Sequence, residues 1–127
     1  SNLNVSQMAL RCPKAVKVGP DYISGWKLVF RNVADIILTE NKRTKLPIGI
    51  WKITSECEKA LDRYEGYPHL YGKIEVNGFM TYKMNSKALG LPSETYFNTI
   101  LEGYKDFDLD TSYLLETLYA QKENTYE

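Results

Sequence analysis

A single histidine, His69, and two cysteines, Cys12 and Cys57, are present among the 127 residues. A Ser-His-Asp or Cys-His catalytic group would have to use His69, which lies in a turn-like stretch between Pro68 and Leu70, so triad chemistry is not expected. Two cysteines so far apart in sequence do not read as a disulfide framework or as a zinc site. An excess of charge is missing too, since sixteen Lys and Arg balance sixteen Asp and Glu. Nucleic-acid binders normally carry a basic excess or stripe. The nearest approach to one, Lys42-Arg43-Thr44-Lys45, has Glu40 close by and reads as a solvated loop. No apolar run reaches the roughly 20 residues of a membrane span, and no secretory leader is seen. The expectation is therefore a cytoplasmic protein that engages neither nucleic acid nor membrane.

Tyrosine is what the chain has in plenty, at ten residues. It suits half-buried strands and the walls of pockets that need a hydroxyl at the end of an apolar plate. A β-rich core with hydroxyls at its rim accounts for the tyrosines equally well. A chain of this length builds one domain around one core.

Along the sequence, Val5 to Arg11 reads as a short helix capped by Asn4 or Ser6 and stopped at Cys12-Pro13. Strand-like stretches follow at Ala15 to Val18, Tyr22 to Ser24, Trp26 to Arg31 and Val33 to Thr39. The last two are separated by little more than Asn32. Glu40 to Lys45 is a loop, and Leu46 to Ile53 a buried strand whose Pro47 belongs at an edge. Ser55 with Glu58 three residues on has the capping-box pattern, opening a helix to about Tyr64. Cys57, Ala60, Leu61 and Tyr64 share one face of that helix. Asn77-Gly78 between Tyr71 to Val76 and Phe79 to Met84 is a strong hairpin signal. A two-residue turn there pairs Val76 with Phe79 and puts Tyr71, Lys73 and Tyr82 on one face. Ser93 caps a helix over about Glu94 to Tyr104. A last helix over roughly Ser112 to Gln121 has Leu114, Leu115, Leu118 and Tyr119 as its apolar side. Strands first, one helix within the strand run and two helices last fit an α+β fold with a small antiparallel or mixed sheet.

Two segments carry candidate chemistry. In Leu61-Asp62-Arg63-Tyr64-Glu65-Gly66, Glu65 sits in the last turn of a helix, at the negative end of its dipole. With Tyr64, Tyr67 and Tyr71 near it in sequence, burial and the dipole both push its carboxyl toward the range a general base or acid needs. A surface glutamate before a C-cap glycine is the plainer alternative. The opening Asn2-Leu3-Asn4 precedes a capped helix whose first N–H groups would suit an anion. A simple N-cap, or a leftover of an expression tag at Ser1-Asn2, is the alternative.

Taken together and in order, these segments resemble the γ-glutamylcyclotransferase family, also called AIG2-like or BtrG-like. The resemblance runs from Ser1-Asn2-Leu3-Asn4 through Gln7-Met8, Arg11-Cys12-Pro13-Lys14-Ala15 and Gly25-Trp26-Lys27-Leu28-Val29-Phe30-Arg31. It continues in Val33-Ala34-Asp35-Ile36, Gly49-Ile50-Trp51-Lys52-Ile53-Thr54 and Leu61 to Gly66 with Tyr71. It covers about Ser1 to Tyr82, and after Leu89 only Leu91-Pro92-Ser93 before a helix is similar. It implies a barrel-like fold and an enzyme that cyclises a γ-glutamyl group to 5-oxoproline, with Glu65 as the proton-transfer residue. Ser1, Asn2 and Leu3 would form the loop that holds substrate and steadies an oxyanion. Tyr82, with Tyr71 near it, would line the γ-glutamyl pocket. Nucleophile and electrophile are already tethered, so positioning supplies much of the acceleration without metal, cofactor or covalent nucleophile. The implied partner is a small γ-glutamyl substrate, and monomer and homodimer both remain open. Arg63 and Lys73 are candidate carboxylate contacts, with exposed charges the alternative.

The family's Tyr-Gly before Ser1, and the strand ahead of it, have no counterpart here. The expectation is a single domain over residues 1–127 lacking that first strand. A catalytically idle relative that binds small γ-glutamyl or amino-acid ligands is the second reading. An interaction module with an exposed apolar patch on the Leu114 to Tyr119 helix is the third.

Overall fold

Antiparallel strand pairs, flanked by helices, make up an α+β architecture. The computed structural model describes residues 2–126, with side chains through residue 124. In chain order the elements are α1 (Val5–Arg11), β1 (Val16–Ser24), β2 (Trp26–Phe30), β3 (Ala34–Leu38), β4 (Lys45–Lys52), α2 (Ser55–Glu65), β5 (Tyr71–Val76), β6 (Phe79–Met84), α3 (Glu94–Asp106) and α4 (Thr111–Tyr126). The sheet is divided into β1–β4, β2–β3 and β5–β6, and among the described residues no ladder joins one pair to the next.

Local chemistry accounts for most boundaries. Asn4 caps α1 by accepting from the Gln7 N–H at 3.0 Å. Asn77 and Gly78, both at positive φ, make the tight turn that sets Val76 opposite Phe79 and Lys73 opposite Tyr82. Ser93 caps α3 through the Tyr96 N–H. Other boundaries differ from the sequence reading. Thr54, not Ser55, caps α2, accepting from the Cys57 N–H at 3.1 Å. The two stretches expected on either side of Gly19-Pro20 are one strand, β1, with a register shift between Lys17 and Gly19. Proline is tolerated there because β1 pairs with β4 alone, so Pro20 lies on an edge strand.

Phe30, Tyr104, Phe107 and Leu114 are fully buried in the main core, where α3 and α4 cover β1, β2, β4 and β5. Each such side chain contributes roughly 1.5–3 kcal/mol by leaving water. A second cluster, Met8, Cys12, Cys57 and Leu61, lies between α1 and α2. There the structure corrects the cysteine reading: Cys12 and Cys57 are joined as a disulfide, with Cα atoms 5.2 Å apart. Trp51 packs against both clusters. On the helix faces, Cys57 and Leu61 are buried as expected, but Tyr64 and Tyr119 are more than half exposed. Among the described residues no helix is long and apolar enough to cross a membrane.

Candidate active site

Helical spacing aims Glu65 inward. Cys57 and Leu61 form the buried stripe of α2, and Glu65 follows one further turn along the same face. Gly66 then ends the helix at φ 71°, the left-handed geometry that glycine adopts without strain, and returns its N–H to the Arg63 and Asp62 carbonyls. Glu65 thus lies half-buried on the wall of a cavity of about 680 Å³. Burial pushes its carboxyl above the ordinary value of 4.5, while the Arg11 charge and the Asn2 amide pull the other way without cancelling it.

The loop before α1 reaches the same cavity. Asn2 Nδ2 lies 3.3 Å from Glu65 Oε1, its Oδ1 accepts from Arg11 Nη1 at 2.8 Å, and its carbonyl accepts from Trp51 Nε1 at 2.8 Å. Leu3 is clasped by two glycines. A Cβ at Gly49 would fall 2.4 Å from Leu3 Cδ2, and one at Gly103 would fall 2.7 Å from Leu3 Cβ and 2.8 Å from Asn4 N. The loop is held from α3 as well: Asn4 donates to the Thr99 carbonyl at 3.1 Å and to Glu102 at 2.9 Å, and Asp106 accepts from the Val5 N–H at 2.9 Å. The first N–H of α1 therefore already has a carboxylate partner from within the chain, which argues against the free anion site the opening segment implied. Ser1 lies outside the described residues.

The β5–β6 hairpin supplies the aromatic wall. The Tyr71 and Tyr82 rings meet edge to face, with centroids 6.4 Å apart, and both line the cavity. Burial raises both phenols, and neighbouring charge adds to it, so both stay protonated at neutral pH. The Tyr82 hydroxyl is committed, donating to Asp62 Oδ1 at 2.6 Å. Lys73 is committed as well, bonding Glu58 Oε2 at 2.7 Å and Asp62 Oδ1 at 2.8 Å. Its ammonium is thus part of a Tyr82–Asp62–Lys73–Glu58 network instead of a carboxylate contact for a ligand. Arg63 is exposed and does not line the cavity.

Three side chains that the sequence reading did not place in the site belong to its surroundings. Tyr96 lines the cavity and accepts from the Ala34 N–H at 2.9 Å, burial raising its phenol to about 12. Trp51 fixes the Asn2 carbonyl, and Arg11 fixes the Asn2 side chain. The partners of Tyr96 and Trp51 are 62 and 49 residues away in sequence, so no local pattern marks them. Among the described residues no group of three or more His, Cys, Asp or Glu is placed to hold a metal ion.

The sequence matches no protein-family model and no curated protein. Solved structures share the fold. A gamma-glutamyl cyclotransferase superposes with a TM-score of 0.77 at 23% identity, over 91% of this chain and 80% of its own. An uncharacterized human protein, loc79017, does so with a TM-score of 0.77 at 24% identity, over the same shares of the two chains. The chain therefore has the fold of gamma-glutamyl cyclotransferase.

Proposed function

We propose that this chain is a γ-glutamyl cyclotransferase that uses Glu65 to move the proton. The observation that carries the reading is a half-buried glutamate, its carboxyl raised, on the wall of a sizeable cavity in a fold shared with a gamma-glutamyl cyclotransferase. In its ionised form Glu65 takes a proton from the α-amine of the γ-glutamyl group. The amine nitrogen attacks the γ-carbonyl carbon of the same molecule, and the carbonyl electrons move onto oxygen. When the tetrahedral centre collapses, the bond to the leaving nitrogen breaks, and Glu65 returns the proton to that nitrogen. The products are 5-oxoproline and a free amine or amino acid, with no electron gained or lost. A raised carboxyl suits both halves of the cycle, because it accepts a proton readily and gives it back near neutral pH.

Asn2 and Leu3, backed by Gly49 and Gly103, form the rigid rim of the site, and Tyr71 and Tyr82 its wall. The Tyr82 hydroxyl serves Asp62, so its ring is the part offered to substrate. The whole chain acts as one such domain in this reading. The test is release of 5-oxoproline from a panel of γ-glutamyl amino acids and amines by the wild type beside Glu65→Gln. Product from the wild type and a fall of at least ~10²-fold in the variant support the reading. A folded wild type that binds these compounds and makes no product supports the idle binding relative instead.

A further inference from the structure

The proton-transfer scheme leaves one cation at the site without a task. Arg11 is the last residue of α1, and its guanidinium reaches two other segments. Nη1 donates to Asn2 Oδ1 at 2.8 Å, while Nη2 donates to Gln7 Oε1 at 3.2 Å and to the Tyr64 hydroxyl. The guanidinium carbon also lies 3.6 Å from the centre of the Tyr64 ring, a cation–π contact that fixes its plane.

The consequence falls on Asn2. A side-chain amide has one accepting oxygen and one donating nitrogen, whereas a guanidinium can only donate. The oxygen of Asn2 must therefore face Arg11, and its nitrogen is turned toward Glu65 Oε1, 3.3 Å away. The Asn2 backbone cannot swing to undo this, because its carbonyl is bonded to Trp51 Nε1. The amide, free to point either way in isolation, has one orientation here, and the shorter bond, from Arg11, anchors it.

We propose that Arg11 is a positioning residue for Glu65: by holding the oxygen of the Asn2 amide, it keeps the amide nitrogen donating to the carboxylate. Without Arg11 only the 3.3 Å contact with the carboxylate itself orders the amide, and the donor is held less firmly toward Glu65. The inference rests on the reading of Glu65 as the proton carrier. Burial raises the Glu65 carboxyl, and both Arg11 and the Asn2 amide act to lower it. The other titratable groups that line the cavity are the phenols of Tyr64 from α2, Tyr71 from β5, Tyr82 from β6 and Tyr96 from α3, and the carboxyls of Glu58 from α2 and Asp35 from β3. Arg11, from α1, brings positive charge close to the Glu65 carboxyl.

The experiment is a titration of the Glu65 carboxyl by carbon-13 NMR in the ligand-free protein, for the wild type, Arg11→Met, Asn2→Ala and the double variant. Each single change is expected to raise the midpoint by roughly 0.5–1 pH units, the worth of one ordinary hydrogen bond. The double variant is expected to shift it by less than the two added together, since both changes cut one relay. A midpoint unmoved in Arg11→Met, or shifts that simply add, overturns the proposal. Should Arg11→Met fail to fold, Arg11→Ala, which also removes every donor, carries the same test. Release of 5-oxoproline is followed alongside. Midpoints shifted in the variants as expected, together with a wild type that makes no product, keep the positioning role and reject the reaction. Product with an unshifted midpoint rejects the role and keeps the reaction.

Discussion

Asp35 on β3 and Glu65 at the end of α2 are both drawn out of bulk water, and the fold handles their charge in opposite ways. Burial pushes Asp35 upward, but the Arg31 Nε at 2.8 Å, the Met84 N–H at 3.0 Å and the Lys83 ammonium at 3.2 Å hold it below its ordinary value of 3.8. Arg31 extends the tie by donating to the Lys87 carbonyl at 2.6 Å. The result is a charged pin joining β3 to β6, with no side-chain exposure at Asp35. Among the described residues Glu65 receives a single amide at 3.3 Å, stays half open to the cavity, and ends above its ordinary value. One carboxylate is fully partnered and serves the fold. The other is under-partnered, and that shortfall leaves it able to take and give a proton.

The contrast breaks most easily at Asp35. Removing that carboxylate in Asp35→Ala leaves Arg31 buried without its anion, and about 3–5 kcal/mol of stability is expected to go, read from the denaturant midpoint. A loss below about 1 kcal/mol would make the pin ornamental. The pH signs differ as well. Because the folded value of Asp35 is lowered, its contribution is present above 3.8 and is lost as pH falls through the folded value. Glu65, being raised, costs the fold stability only once pH climbs above 4.5 and it ionises. Next in size is Gly103→Ala, whose Cβ would press on Leu3 and Asn4. Destabilisation of about 1–3 kcal/mol is expected, with a higher KM because the loop facing Glu65 moves; an unchanged KM would detach that loop from the site. Smallest is Tyr82→Phe, expected to cost about 1 kcal/mol of stability through the lost bond to Asp62 while kcat changes little. A large fall in kcat with stability intact would mean that the hydroxyl serves the substrate after all.

What was legible in the sequence follows the range of the interaction. Asn77-Gly78, the Ser93 cap and Gly66 after Glu65 act over a few residues, and each sets its element as read. Where two residues could serve equally, as Thr54 and Ser55 could at the start of α2, local pattern chose the wrong one. Gly19-Pro20 looked like a break because the edge position that tolerates proline is fixed by pairing to β4. The pairing of Cys12 with Cys57, 45 residues apart, depends on how α1 packs on α2, which two cysteines alone do not reveal. In the site, Asn2, Glu65, Tyr71 and Tyr82 were singled out from sequence and line one cavity. The task of the Tyr82 hydroxyl, the clasp of Gly49 and Gly103 on Leu3, and the hold of Arg11 and Trp51 on Asn2 are tertiary, and no spacing encodes them.

The most direct measurement is the pH dependence of kcat/KM for 5-oxoproline formation, in the wild type and in Glu65→Gln. The expected result is a rate that rises with pH through a single acid limb lying above 4.5, the ordinary value for glutamate, and that disappears in the variant. A limb at or below that value, or one retained in Glu65→Gln, would contradict Glu65 as the proton carrier.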